Sequence, residues 1–314
     1  MGKTRSYILT MLSGLCLFFI VGSTACTKED ETLYTEVDNT ISIADGIVID
    51  NGVKVKRPIF NFVYYDDFLK YIANSDHFLI VPLEDFKKTS STDKVIISLR
   101  FDVDEDINAA VKLAYRNHKY GIKGTFFVLH SANYYGQMVE THFQRTSGKM
   151  IGPYFRRSDN VIFYLKKIQN AFGQEIGFHN DLITLQLLYG ISSRQYLKDE
   201  LAYLRGNNIN ILGTTYHGSQ YCYIYKYFNG YFWYEYPDNG WNYEYITKGV
   251  KTIKIEKDYL ENYGLYEGGR LGHDYYFSDS NFKNGKRWNM SMVNLDTVKP
   301  GKKVILLFHP ANWD

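Results

Sequence analysis

The chain has 314 residues and a formal net charge of +2, with 45% hydrophobic and 17% aromatic residues. Such a length suits one large domain or two small ones, and so even a charge balance excludes the basic footprint of a nucleic-acid partner. Of the three cysteines, Cys16 and Cys26 lie near the start and Cys222 stands alone, which excludes an internal disulfide framework and a thiolate zinc cluster.

In chain order, Lys3 and Arg5 precede an apolar stretch from Tyr7 to Val21, and Ser23-Thr24-Ala25 sets small residues before Cys26. The stretch is too short for an ordinary membrane span, so residues 1–25 read as a secretory signal. Its ending resembles a bacterial lipoprotein signal, which implies lipidation of Cys26 and attachment to a membrane through that anchor. Cleavage by an ordinary signal peptidase is the alternative. Residues 26–57 form a polar tether and N-terminal extension with short β-like patches. The run Thr27-Lys28-Glu29-Asp30-Glu31 fits a solvated tether. It also resembles the surface-export signal of Bacteroidetes lipoproteins, which implies an outer-membrane lipoprotein exposed at the cell surface.

Residues 58–314 form one body. A short helix is expected at 66–72 and a strand at 77–83. Lys94–Phe101 reads as a buried strand, and Ile107, Ala110, Val111, Ala114 and His118 recur at helical spacing, with Asp106 as N-cap and Gly121 as stop. Lys123–Leu129 returns as a parallel strand. A helix at 160–172, a strand from Glu175, a helix from Ser193 to the stop at Gly206 and a strand at Ile211–Tyr216 continue the alternation, which defines a parallel α/β architecture. The insertion at 220–245 breaks it and reads as a long loop or hairpin.

Several strands stop at residues able to bind metal or move a proton. Phe101 is followed by Asp102-Val103-Asp104, Phe178 by His179-Asn180-Asp181, Tyr216 by His217, Phe277 by Ser278-Asp279-Ser280, and Phe308 by His309. An α/β barrel with its chemistry on the C-terminal rim has a use for such endings, whereas core strands have none. Carboxylates at i and i+2 project in one general direction, as a metal ligand and a base require. The competing reading makes Asp104, Glu105 and Asp106 capping acids of the next helix. A lone His is more often structural than a ligand, and His77 and His118 read that way.

Leu99-Arg100-Phe101-Asp102-Val103-Asp104, a helix, and then Gly124-Thr125-Phe126-Phe127-Val128 resemble the opening of the polysaccharide deacetylases (NodB-like, carbohydrate esterase family 4). Glu175-Ile176-Gly177-Phe178-His179 resembles their second motif and Leu306-Leu307-Phe308-His309-Pro310 their last, so the resemblance spans roughly 94–313. It implies a distorted (β/α) barrel of the polysaccharide-deacetylase type, with one divalent metal, that hydrolyses an acetamide on a sugar. Asp102 then corresponds to the catalytic base, Asp104 and His179 to metal ligands, and His309 to the proton donor for the leaving group.

Two departures stand out. Val103 splits the family's Asp-Asp pair, and Ile183 occupies the position of its second metal His. Firm retention of an ion needs a third ligand, for which His217 and Asp181 are the candidates. His217 is preferred because it replaces imidazole by imidazole. Zinc suits this mixed donor set, and cobalt, nickel and manganese fit it too.

The 220–245 stretch is dense in tyrosine and contains Trp233 and Trp241. Most of these rings are expected to pack the insertion. A few, with Trp313 near the last His, are candidates to stack on sugar rings. The expected activity is metal-dependent removal of acetyl groups from an extracellular or envelope glycan. A non-catalytic carbohydrate-binding lipoprotein on the same fold, or a hydrolase of another C–N or ester acyl bond, are the rivals.

Overall fold

The computed structural model describes residues 47–50, 53–56, 61–236, 244–279, 282–283, 286–287 and 294–313. Cys26 and Trp241 lie outside the described residues. Among the described residues Ile47–Asp50 and Val53–Lys56 pair only with each other, antiparallel, so this part of the N-terminal extension makes its own small sheet.

The body is mixed α/β around one eight-stranded sheet. Its strands are β1 (Phe78–Ile80), β2 (Val95–Val103), β3 (Thr125–Leu129), β4 (Glu175–Asn180), β5 (Ile211–Tyr216), β6 (Tyr266–Glu267), β7 (Tyr275–Ser278) and β8 (Lys303–Phe308). The order is β6-β5-β4-β3-β2-β8-β7, with β1 joining the first residues of β2. Every pairing in it is parallel. Among the described residues β6 and β7 do not pair, so the sheet curls as a partial barrel, compatible with a distorted (β/α) barrel.

Period-two alternation sorts the side chains. In β2, Val95, Ile97, Leu99, Phe101 and Val103 join the large core beneath the helices. Ile96 belongs to a second cluster with Leu83, Phe86, Phe127, Leu271 and Ile305, which fills the inside of the curl. The inner column of β2 therefore runs Ile96, Ser98, Arg100, Asp102. Two glycines make room for rings there. A Cβ on Gly177 would lie 2.3 Å from the Phe127 ring, and one on Gly213 would lie 2.5 Å from Tyr266. Alanine at either site costs about 1–3 kcal/mol by overpacking.

The helices are α1 (Phe62–Asn74), α2 (Leu83–Phe86), α3 (Ile107–Lys119), α4 (Val161–Lys166), α5 (Leu182–Tyr189), α6 (Ser193–Gly206) and α7 (Gln220–Tyr225). Asp106 caps α3 by accepting from the amides of Asn108 and Ala109, as the sequence predicts, and Gly121 takes φ +68° after its end. The helix expected at 160–172 is α4 followed by a wider π turn at Lys167–Ala171. The strand expected at 77–83 ends at Ile80, and Leu83 opens α2, which closes one mouth of the curl. Within 220–245, the described part contains α7 and a 3-10 turn at Asn229–Phe232. No helix among the described residues is long and apolar enough to cross a membrane.

Candidate metal centre

The inward columns of neighbouring strands end in the polar residues singled out above. β2 carries Asp102, with Asp104 just beyond its end; β4 carries His179; His217 follows β5 and His309 follows β8. Parallel pairing in register brings these ends to one rim, since Val103 lies beside Val128 and Val128 beside Phe178.

Asp104 Oδ1 lies 3.2 Å from His179 Nε2 and 3.3 Å from His217 Nδ1. One donor atom from each of these residues falls within 4.8 Å of the others, so the triad could hold a metal ion. The hydrogen bonds around it support that fit. His179 Nδ1 lies 3.3 Å from the Thr215 carbonyl, an acceptor for an N–H at that nitrogen, and this turns Nε2 toward Asp104. Asp104 Oδ1 is buried between the two ring nitrogens. At this separation it is satisfied by an imidazole N–H or by a cation that takes the proton's place. The two rings meet edge to face, 5.1 Å between centroids. His179 is 2% exposed and forms the floor, while Asp104, His217 and His309 side chains remain 19–25% exposed, which leaves one side of the triad open.

Burial raises the Asp104 carboxyl, but His179 and His217 outweigh it and hold it well below the ordinary range. Burial alone would lower His217, and Asp104 reverses this to a net rise. Asp181 is not part of the triad. Its carboxylate accepts from Ser131 Oγ at 2.7 Å, from Asn229 Nδ2 at 2.9 Å and from the Thr184 hydroxyl. Of the two candidates for third ligand, the geometry brings His217 to the site. Ile183 is fully buried on α5, where it serves packing.

Beside the triad, Asp102 forms a two-pronged pair with Arg100, Nε to Oδ1 at 2.7 Å and Nη2 to Oδ2 at 2.6 Å. Burial raises the Asp102 carboxyl, and Arg100 with His179 more than offsets it, so it stays ionised. Arg100 itself lies 5.4 Å over the Phe127 ring. On the other side, His309 Nδ1 lies 2.5 Å from Asp279 Oδ1, and its backbone N–H donates to Asp279 Oδ2 at 2.8 Å. Burial lowers His309, and the fully buried Asp279 outweighs this and raises it. His309 Nε2 points toward the centre, 3.9 Å from Asp104 Oδ2.

Neither described tryptophan is open for stacking on a sugar. Trp233 is 2% exposed, packed on Phe232 and Tyr263. Trp313 is 4% exposed, and its Nε1–H donates to Asp279 Oδ2 at 3.2 Å, so it braces the His309 partner instead. Asp279, singled out in the sequence as a strand-end residue, takes its place as the partner of His309. Two residues join the site without having been assigned to it from the sequence. Arg100 had a signal, a single cation inside an apolar strand. Asn229 had none. Its amide donates to Asp181 and to the His217 carbonyl and accepts from the amides of Ile183 and Thr184, tying α5 to the end of β5.

Comparison with family models, curated proteins and solved structures gave no match.

Proposed function

We propose that the chain is a metal-dependent deacetylase of an extracellular or cell-envelope glycan, on a distorted barrel of the polysaccharide-deacetylase type. The observation that supports this reading is the convergence of the buried Asp104 oxygen and two imidazoles, flanked by an ionised carboxylate and a carboxylate-backed His. Three protein ligands and an open side are the donor set of a catalytic rather than a structural zinc site. When bound, a zinc ion there polarises an acyl carbonyl and acidifies water.

The chain's own residues supply the proton transfers. Asp102, kept ionised by Arg100, takes a proton from the water whose oxygen attacks the acetyl carbon. His309, protonated at Nε2 and held by Asp279, gives a proton to the sugar nitrogen as the C–N bond breaks. Acetate and the free amine leave, and solvent returns Asp102 and His309 to their starting states.

The reading extends to the leader: Cys26 carries lipid and anchors the protein at the outer membrane. Cys26→Ala then loses labelled lipid, and lipid retained on the variant defeats that assignment. The activity is tested by metal analysis of purified protein together with acetate release from acetylated glycans. Zinc near one equivalent with acetate release is the expected result. A protein that binds glycan but neither zinc nor releases acetate is a lectin-like binder, and the proposal falls.

A further inference from the structure

Between β3 and α4 the chain builds an arm that the metal centre does not use. Gly136–Val139 pairs antiparallel with Tyr154–Arg157 to form its base, and His142–Gln144 pairs with Lys149–Ile151 farther out. The base is fixed to the body. Tyr135 is fully buried with its hydroxyl donating to Glu200 on α6, and Arg157 pairs with the same carboxylate at 2.7 Å. The outer part stands clear, since every residue from Glu140 to Met150 is exposed. Phe143 and Met150 lie opposite each other on the outer strands, 58% and 64% exposed, so one face of the tip is apolar and open to solvent. Isolated exposed apolar residues are ordinary, but a cross-strand pair on a two-stranded ribbon, itself marginal in water, marks a contact surface.

The charge around that pair decides what it meets. From Thr141 to Ser158 the chain has no acidic residue and carries Arg145, Lys149, Arg156 and Arg157, with Glu140 and Asp159 bounding the stretch. Arg157 is taken up by Glu200, whereas Arg145, Lys149 and Arg156 form no ion pair among the described residues. We propose that the tip of this arm seats on an anionic lipid surface, with Phe143 and Met150 entering the boundary between headgroups and acyl chains and Arg145 and Lys149 meeting lipid phosphates. Burial of an apolar face and attraction of flanking Lys and Arg to anionic headgroups add together in an interfacial segment. An apolar protein groove would cover Phe143 and Met150 as well, but it has no need of the acid-free basic collar. The arm springs from the loop after β3, at the sheet end that carries the triad. From Gly136 to Arg145 an extended strand spans at most ~30 Å, so a seated tip holds that rim close to the surface. The inference needs neither lipid on Cys26 nor the deacetylase reading.

The test is sedimentation of the chain from Cys26 onward, made without the leader and so without lipid, with two kinds of vesicle. One is phosphatidylcholine alone and the other an equal mixture of phosphatidylcholine and phosphatidylglycerol. A basic residue near an anionic surface contributes about fivefold, so binding should be roughly tenfold or more tighter on the mixed vesicles. Arg145→Glu with Lys149→Glu should remove that gain. Phe143→Ser with Met150→Ser should weaken binding to the mixed vesicles by about tenfold or more with the charge unchanged. All four side chains are exposed, so these variants keep the fold. As a second measurement, a polarity-sensitive dye is placed on Phe143→Cys in a Cys26→Ala background, where the remaining Cys222 is buried. Its emission should shift to the blue on the mixed vesicles and be quenched by brominated acyl chains. No binding to the mixed vesicles, equal binding to both kinds, or a dye that stays in water overturns the proposal. Binding that responds to the glutamate pair but not to the serine pair is surface attraction without seating and overturns it as well. So does a dimer in lipid-free solution that Phe143→Ser with Met150→Ser dissolves, since the apolar pair then serves a second copy of the chain.

Discussion

A single oxygen, Asp104 Oδ1, decides what the rim can do. It is buried beside two imidazole nitrogens at 3.2 and 3.3 Å, all three groups presenting donor atoms to one point. A metal ion there takes the place of the imidazole protons, so its affinity depends on each of the three. Asp104→Ala and His217→Ala should therefore lose bound zinc, each by tenfold or more in affinity, whereas Asp181→Ala and His309→Ala should retain it. Equal zinc loss across all four variants would leave the triad without a special role. Asp181→Ala should instead weaken the fold by about 1–3 kcal/mol, because Ser131, Thr184 and Asn229 lose their shared acceptor. In the proposed mechanism Asp279 acts at one remove, through His309. Asp279→Asn should keep zinc and substrate affinity while kcat falls by about 10²–10⁴, the range for an impaired acid–base partner. A drop in zinc content matching the drop in kcat would contradict that assignment.

At the scale of the elements, the sheet converts sequence alternation into a site. Strands β2, β4, β5 and β8 were legible because apolar runs stop at polar residues, and the same parity that buries Leu99 and Phe101 outward sends Arg100 and Asp102 inward. Helix α5 was not legible. Leu182–Tyr189 is apolar nearly all round and shows no period, and its first turn is capped from outside by Asn180 and Asn229. The antiparallel arms within 136–157 escaped as well, since their strands are only three or four residues long and largely exposed. The aromatic insertion could be assigned to packing as a class, but which rings stay open depends on tertiary contacts that no local pattern encodes.

The opposite end of β4 carries a testable charge. Glu175 is pushed up to about 7 by burial, only partly offset by hydrogen bonds from Thr125 and Tyr266. A raised carboxyl favours the protonated form in the folded state, so its contribution is full below the ordinary value near 4.5 and is lost as pH rises to about 7. The loss amounts to roughly 3 kcal/mol at most. Glu175→Gln, neutral throughout, should gain in stability relative to the wild type as pH is raised across that window. Parallel denaturation midpoints for the two proteins from pH 4.5 to 7.5 would show that Glu175 titrates normally.

Across the whole molecule, the triad joins parts of the chain far apart in sequence: Asp104 from β2, His179 from β4 and His217 from β5. An ion bound by all three exists only on the folded rim, so its binding free energy adds to stability. At a hundredfold excess over the dissociation constant this amounts to about 2.7 kcal/mol. For a domain of this size it corresponds to a rise in Tm of roughly 5 °C or more. Zinc should raise the Tm of the wild type and of Asp102→Asn, which keeps all three ligands, and should leave His179→Ala unmoved. The rise should shrink as pH is lowered, because protons compete with the ion for the imidazoles. The Asp102 variant makes the comparison discriminating: it removes the proposed base without touching the triad, so a zinc-dependent rise with no acetate release separates holding the ion from using it. A wild type whose Tm ignores zinc, cobalt, nickel and manganese alike would leave the convergence on Asp104 without a ligand and would end the metal-centre reading.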